Sequence, residues 1–147
     1  MSSKQMSSTA VADDEFPEHG AQRTLTGMAL MILMTIALTF SIYQLVIAGF
    51  SPLSSLTMRS LHVGFLLALT FLIFPAFKTG KLTSVVWYDW ILAGTGFILS
   101  FYHWIFESDL IVRAGDPNTA DLVVGTIMVV MVFEATRRML GWALPIV

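Results

Sequence analysis

The sequence contains no cysteine and little charge. Without cysteine, the chain of 147 residues can form neither disulfides nor thiolate metal sites. Only 12% of its residues are charged and 56% are hydrophobic, whereas a soluble domain is about a quarter charged and about half apolar. No basic cluster is present for nucleic acid, and the net charge of −2 indicates no particular partner. This composition is typical of a membrane protein.

Motifs for catalysis and for cofactor binding are absent as well. The sequence has no GxSxG, no HExxH and no glycine-rich phosphate loop. Its histidines, His19, His62 and His103, lie in different segments, with no cysteine to complete a metal site. We therefore expect a protein that is not an enzyme and that uses no cofactor or metal.

Long uncharged intervals predict the membrane-spanning segments. No Asp, Glu, Lys or Arg occurs in 24–58, 60–77, 90–106 or 122–133. A bilayer core of about 30 Å needs roughly 20 helical residues. The last interval reaches this length when its small polar neighbours are included. The alternative for this interval is a re-entrant or interfacial segment. Unbroken apolar runs favour helices over strands. We predict an all-α integral membrane protein with four transmembrane helices, at about 25–49, 58–77, 86–106 and 119–138.

Local signals refine these helices. Asn118 and Thr119 are predicted caps of the fourth helix, and Gly141 allows the chain to turn after it. Gly94, Gly96 and Gly125 would allow close approach of neighbouring helices.

The first 24 residues are polar and differ from the rest. We predict that 1–24 form a disordered cytoplasmic tail and that 25–147 form one four-helix membrane domain. The apolar run that follows the tail is far too long for a signal peptide, so we expect it to remain as an anchor.

The distribution of Lys and Arg predicts the orientation. Four spans place both termini on one side of the membrane, so the Lys and Arg residues can be counted for each side. The side of the termini holds Lys4, Arg23, Lys78, Lys81, Arg137 and Arg138, and the opposite side holds only Arg59 and Arg113. The positive-inside rule therefore predicts cytoplasmic termini.

Aromatic residues cluster at the predicted span ends. Amphipathic rings are favoured at the level of the lipid headgroups. The predicted interfacial belt consists of Trp87, Tyr88, Trp90, Tyr102, Trp104 and Trp142.

Charged residues lie at the span ends rather than at the span centres, so the chain has no visible substrate or ion path of its own. Glu134 precedes Arg137 and Arg138 by three and four residues, which places all three on one helical face. This spacing favours either an intrahelical ion pair near lipid phosphate or a contact with a neighbouring protein. The candidate residues for contact with a partner or a lipid headgroup are Glu134, Arg137, Arg138, Arg59, Asp89, Arg113 and Asp121.

Several motifs together resemble a known family. They are Arg59 with Leu61 and His62; Trp87, Asp89, Trp90 and Leu92; RxGxP at 113–117 with Asp121 and Gly125; and EATRRxxGxxLP from Glu134. This set resembles the small four-helix membrane component of TRAP transporters, in the version found at the start of the fused permeases of the TAXI subgroup. The resemblance covers about 59–147, and its last motif is the most specific.

The resemblance implies a multi-pass protein of the bacterial inner membrane. It would be the non-catalytic scaffold of a sodium-coupled secondary importer of organic anions, such as dicarboxylates or glutamate. The implied partners are an extracytoplasmic substrate-binding protein and a large multi-span subunit that moves as an elevator. Fused permeases continue beyond the LPI region, so the chain is either a separate small subunit or the front of a longer polypeptide.

Two other functions remain open on the sequence. One is the small four-helix subunit of a tripartite tricarboxylate transporter. The other is a self-assembling channel or accessory membrane protein. A channel would need polar residues at helical spacing inside a span, and the candidates are Thr35, Thr39, Ser41 and Tyr43.

Overall fold

Most of the residues that the structure describes lie in helices. A computed structural model describes residues 22–50, 53–77 and 82–141, and every regular element in these segments is an α-helix. The helices are α1 Gly27–Phe50, α2 Ser55–Ile73, α3 Trp87–Ile105, α4 Glu107–Val112 and α5 Thr119–Leu140. The all-α prediction is confirmed. The short helix α4, in the segment predicted as a loop, was not expected.

Three of these helices are long and apolar enough to cross a membrane, namely α1, α2 and α5. The sequence left a re-entrant alternative open for the last segment, yet α5 is a 22-residue helix that meets these criteria. It is α3 that falls short, because polar residues such as Asp89 and His103 lie in its first and last turns. The structure therefore supports a multi-pass membrane protein with three candidate spans.

The bounds of α2 differ most from the prediction of 58–77. The helix begins at Ser55 because the Ser54 hydroxyl caps it, accepting a hydrogen bond from the Thr57 backbone N–H at 3.2 Å. It ends at Ile73 because Phe74 is extended, with φ −103° and ψ 118°. Phe74 precedes a proline, and the proline ring disfavours helical geometry in the residue before it.

The ends of α5 lie where the local signals predict them. The Asn118 side chain accepts from the Asp121 N–H at 2.8 Å, and the Asp121 carboxylate accepts from the Asn118 N–H at 3.0 Å. This reciprocal pair is a capping box. At the other end, Gly141 has a φ of 76°, which favours glycine, and its N–H donates to the Arg137 carbonyl at 3.0 Å.

The core lies between α2, α3 and α5. Its buried residues are Leu67, Ala68, Phe71 and Leu72 from α2, Ala93 from α3, and Met131 and Ala135 from α5. Helix α1 has no buried residue and packs on α2 through aromatic rings, with Phe40 stacked on Phe65 at 5.1 Å between centroids. Both α1 and α5 thus leave most of their apolar surface uncovered by this chain.

Helices α2 and α3 approach each other closely at Gly64. A Cβ atom on Gly64 would lie 2.3 Å from the Ser100 Oγ, so only glycine fits there. Nearby, the Ser60 hydroxyl donates to the Ser100 carbonyl at 2.6 Å, which joins the two helices. Of the glycines predicted to allow close approach, Gly96 packs tightly against Leu67 and Met131. The other two, Gly94 and Gly125, have open space beside them.

Helices α3 and α5 lie side by side and antiparallel. Asp89, near the start of α3, is ion-paired with Arg138, near the end of α5. Tyr102, near the end of α3, donates a hydrogen bond to Asp121, near the start of α5. Helix α3 is therefore bonded at both ends to a candidate span.

Candidate functional site: a buried ion-pair cluster

Asp89 is the centre of a charged cluster at one end of the bundle. Its side chain is 0% exposed, and its two carboxylate oxygens are each bound by a different arginine. Oδ1 accepts from Arg138 Nη1 at 2.7 Å, and Oδ2 accepts from Arg23 Nη2. Both guanidinium groups are also buried, with side-chain exposures of 2% for Arg138 and 1% for Arg23.

Glu134 extends the cluster along α5. Its carboxylate accepts two hydrogen bonds from Arg137, at 2.7 and 2.8 Å, and one from Arg138 Nε at 2.8 Å. The intrahelical pairing expected from the three- and four-residue spacing is therefore present. We refer to Arg23, Asp89, Glu134, Arg137 and Arg138 as the ion-pair cluster.

The arginines of the cluster also bind the carbonyl end of α2. The last carbonyls of a helix have no partner within the helix and carry partial negative charge, which favours cations. Arg23 Nη1 donates to the Phe71 and Leu72 carbonyls, both at 3.1 Å. Beyond them, Arg138 donates to the Phe74 carbonyl and Arg137 to the Ala76 carbonyl, each at 3.3 Å.

The formal charge of the cluster is +1, from three arginines and two carboxylates. Burial of so many charges is costly, and removal of one partner leaves another charge uncompensated. The Arg23 Nε is buried and has no hydrogen-bond partner among the described residues, whereas the other arginine groups facing Asp89 are paired. The guanidinium of Arg138 also lies 4.9 Å from the centroid of the Phe71 ring, a cation–π contact.

Arg23 and Thr24, which precede α1, are bound to this end of the bundle. Besides the Arg23 side chain, the Arg23 N–H donates to the Ile73 carbonyl at 2.9 Å and the Thr24 N–H to the Leu82 carbonyl at 3.0 Å. The predicted disordered tail, 1–24, is therefore wrong for Arg23 and Thr24. Residues 1–21 of that tail lie outside the described residues.

The opposite end of the bundle holds a smaller polar network. The Tyr102 hydroxyl donates to the Asp121 carboxylate, which is also ion-paired with Arg113 at 3.4 Å. Asp121 caps α5 at the same time, so one carboxylate joins α3, α5 and the loop between them. Separately, the Thr57 hydroxyl donates to Glu107 at 3.1 Å and joins α2 to α4.

Arg59 differs from the other arginines of the described segments. Four of the five are ion-paired with carboxylates of this chain, namely Arg23, Arg113, Arg137 and Arg138. Arg59 is exposed and has no hydrogen bond or ion pair within 22–50, 53–77 and 82–141. Among the candidate residues for partner or headgroup contact, Arg59 is thus available, whereas Asp89 and Arg138 are buried against each other.

The described residues of the predicted aromatic belt lie in different environments. Trp87 and Trp104 are exposed, at 72% and 49%, as an interfacial position requires. Trp90 instead packs against the hydrophobic core, and Tyr102 is bound to Asp121. Trp142 lies outside the described residues. Tyr88 packs edge-on against Trp87 at 6.1 Å between ring centroids.

An apolar cavity lies between α1, α2 and α3. It has a volume of about 290 Å³, and Phe65, Trp90 and Phe97 line it together with the hydroxyl-bearing Thr35 and Thr39. The Thr35 hydroxyl donates to the Met31 carbonyl of its own helix at 2.8 Å. This pair of threonines, candidate pore residues on the sequence, borders a cavity lined mainly by apolar side chains.

Chemically, the ion-pair cluster is suited to holding segments together. No group of three His, Cys, Asp or Glu residues within metal-binding reach occurs in the part of the chain that the structure describes. Each carboxylate of the cluster is already bound by arginine, so neither is free to act as a base.

The chain matches no protein-family model, no curated protein and no solved structure.

The sequence did not reveal that Asp89 pairs with Arg23 and Arg138, which are 66 and 49 residues away. One signal was available. The predicted topology places all three residues on the same side of the membrane, which makes a carboxylate–arginine contact possible. What was missing was the relative rotation of the helices, which side-chain packing decides.

Proposed function

We propose that this chain is the small, non-catalytic membrane subunit of a TRAP-type importer of organic anions. It would act in a bacterial inner membrane as a scaffold for a large multi-span subunit, with an extracytoplasmic protein delivering the substrate. The substrate class, a dicarboxylate or a glutamate-like anion, follows from the family resemblance alone.

The observation that carries the proposal is the convergence of two motifs that are distant in sequence. Asp89 belongs to the Trp87 to Leu92 motif, and Arg138 belongs to the terminal EATRR motif. Both motifs resemble features of the TRAP small subunit, and in the structure their charged residues are paired and buried. These charges hold helices together, and this is a role that suits a scaffold. A scaffold keeps a fixed shape and moves no substrate itself.

The exposed apolar surface supports the same role. Helix α1 has no buried residue, and only 11% of the most apolar stretch of α5 is buried within the chain. Inside a membrane such faces contact lipid or the helices of another protein. A subunit that supports a larger membrane protein needs faces of this kind.

The proposal includes a fourth span formed by α3. The 19 residues of α3 extend about 28 Å at 1.5 Å per residue, close to the thickness of a bilayer core. Because α3 is bonded at both ends to α5, α3 would also cross the membrane if α5 crosses it. Both termini would then lie on one side, which the excess of Lys and Arg makes the cytoplasm.

Isolation of the chain from the bacterium that makes it tests the function. A tagged chain, expressed from its own locus, is expected to purify in mild detergent together with a much larger multi-span membrane protein. Deletion of the coding sequence should abolish sodium-dependent uptake of at least one organic acid, and a plasmid copy should restore it. A chain that purifies alone, with uptake of all organic acids unchanged by deletion, would exclude the proposal.

A further inference from the structure

A cleft between the end of α1 and the start of α2 combines polar and apolar walls. Its volume is about 510 Å³, and its lining includes Tyr43, Gln44, Ile47, Arg59, His62 and Val63. We propose that this cleft binds the phosphodiester headgroup of an anionic phospholipid, with Arg59 as the main ligand of the phosphate. The proposal requires that α1 and α2 lie in a membrane, and it is independent of the transport function.

Arg59 carries a positive charge that no carboxylate of the described segments balances. Every other arginine of the described segments is neutralised by a carboxylate of the chain, and Arg59 alone retains an unpaired guanidinium. A guanidinium binds two phosphate oxygens at once, through parallel and charge-assisted hydrogen bonds. The cleft therefore presents one uncompensated positive charge of the type that recognises phosphate.

A second donor comes from His62. The Gln44 side-chain amide contacts His62 Nδ1, which ties α1 to α2 across the cleft. When Gln44 Nε2 donates in this contact, Nδ1 is the acceptor, and the neutral ring carries its hydrogen on Nε2. The ring is also held by an edge contact with Phe40 at 5.1 Å. His62 is thus a fixed residue that retains one N–H donor, one helical turn from Arg59.

The apolar wall distinguishes a lipid from a soluble phosphate. Ile47 and Val63 line the cleft beside the polar residues, and an acyl chain or glycerol backbone gains from contact with them. The cleft volume lies within the range of about 300–1,000 Å³ that is usual for organic ligands. A free phosphate ion would leave most of it unused.

The position of the cleft also suits a headgroup. Helix α1 ends at Phe50 and α2 begins at Ser55, and both are candidate spans, so this end lies where the membrane meets water. Arg59 is in the second turn of α2 and Gln44 is within two turns of the end of α1. The cleft is at the opposite end of α2 from the ion-pair cluster.

Lipid binding to the purified full-length chain tests the proposal. Native mass spectrometry would measure the binding of added phosphatidylglycerol, with phosphatidylethanolamine and inorganic phosphate in separate arms. We expect one tightly bound phosphatidylglycerol, roughly tenfold or more weaker binding in Arg59→Gln, and no effect of millimolar phosphate. His62→Phe keeps an aromatic ring at this position but removes the N–H donor, and it should weaken binding roughly threefold. Arg113→Gln, at an arginine already paired with Asp121, is the matched control and should change binding less than Arg59→Gln.

Equal binding of phosphatidylglycerol to the wild type and to Arg59→Gln would overturn the site, and so would a stronger effect of Arg113→Gln. Displacement of the lipid by millimolar inorganic phosphate would overturn the lipid assignment and indicate a soluble phosphate ligand. Unchanged lipid binding in His62→Phe would show that the lipid is attracted by surface charge in general and is not held by the residues of the cleft. The thermal unfolding midpoint of Arg59→Gln should equal that of the wild type, because Arg59 is exposed and unpaired.

Discussion

Replacement of Asp89 by asparagine should lower the free energy of unfolding by about 3–5 kcal/mol, the cost typical of breaking a buried ion pair from one side. The asparagine side chain has nearly the same shape as that of Asp89 but no charge. The guanidinium groups of Arg23 and Arg138 would then remain buried without the carboxylate that both now bind. Titration with denaturing detergent in mixed micelles, followed by tryptophan fluorescence, would measure the loss.

Asp116→Asn is the matched control for this experiment. Asp116 is exposed, and its side chain makes no hydrogen bond or ion pair in the described part of the chain, so the same substitution should change stability by less than about 0.5 kcal/mol. Adding Arg23→Gln to Asp89→Asn should recover part of the loss, because Arg23 pairs with Asp89, whereas Arg138 keeps its ion pair with Glu134. A loss for Asp89→Asn no larger than that of the control would mean that the cluster does not stabilise the fold.

Gly64→Ala should destabilise the packing of α2 against α3 by about 1–3 kcal/mol, or more, as is usual when a packed core is overfilled. The new Cβ would meet Ser100 at 2.3 Å from Oγ and 2.5 Å from Cβ, far inside van der Waals contact. One of the two helices must therefore move. Gly94→Ala places the same methyl group in open space on α3, and its effect should be neutral or slightly stabilising.

A compensating substitution makes the Gly64 prediction specific. Ser100→Gly removes the two atoms that would clash with the new methyl group, so the double variant Gly64→Ala with Ser100→Gly should lose less stability than the sum of the two single variants. The same unfolding titration measures all four proteins. Simple additivity would show that the two positions are not in contact, and the helix pairing described above would then be wrong.

Local chemistry made most of the secondary structure predictable. The four long helices follow from apolar runs, and the capping box of Asn118 with Asp121 follows from a side chain that bonds backbone three residues away. The end of α2 was misplaced because the predicted helix ran through Phe74, whose backbone is constrained by the next residue. The short helix α4 was missed since its six residues carry too little periodicity to stand out from a loop.

Within the ion-pair cluster, only the contacts between residues of the same helix could be predicted from the sequence. Glu134 and its two arginines are partners because of their spacing on one helix. The contact of Asp89 with Arg138 instead depends on how α3 is rotated against α5. This rotation is decided by the fit of buried side chains, which cannot be predicted from the pattern of a single sequence. The close approach at Gly64 has the same origin, because a glycine beside open space and one against a neighbouring serine look alike in sequence.

Labelling of single introduced cysteines would test the proposed four-span topology, in which α3 crosses the membrane and both termini lie in the cytoplasm. The natural chain has no cysteine, so each introduced thiol reports alone. Ser84 and Asp116 are exposed and lie beyond the two ends of α3. In intact cells a membrane-impermeant maleimide should label Asp116→Cys, whereas Ser84→Cys and Ser3→Cys should react only after permeabilisation. Labelling of Ser84→Cys and Asp116→Cys from the same face would show that α3 does not cross the membrane, and the proposed topology would be wrong.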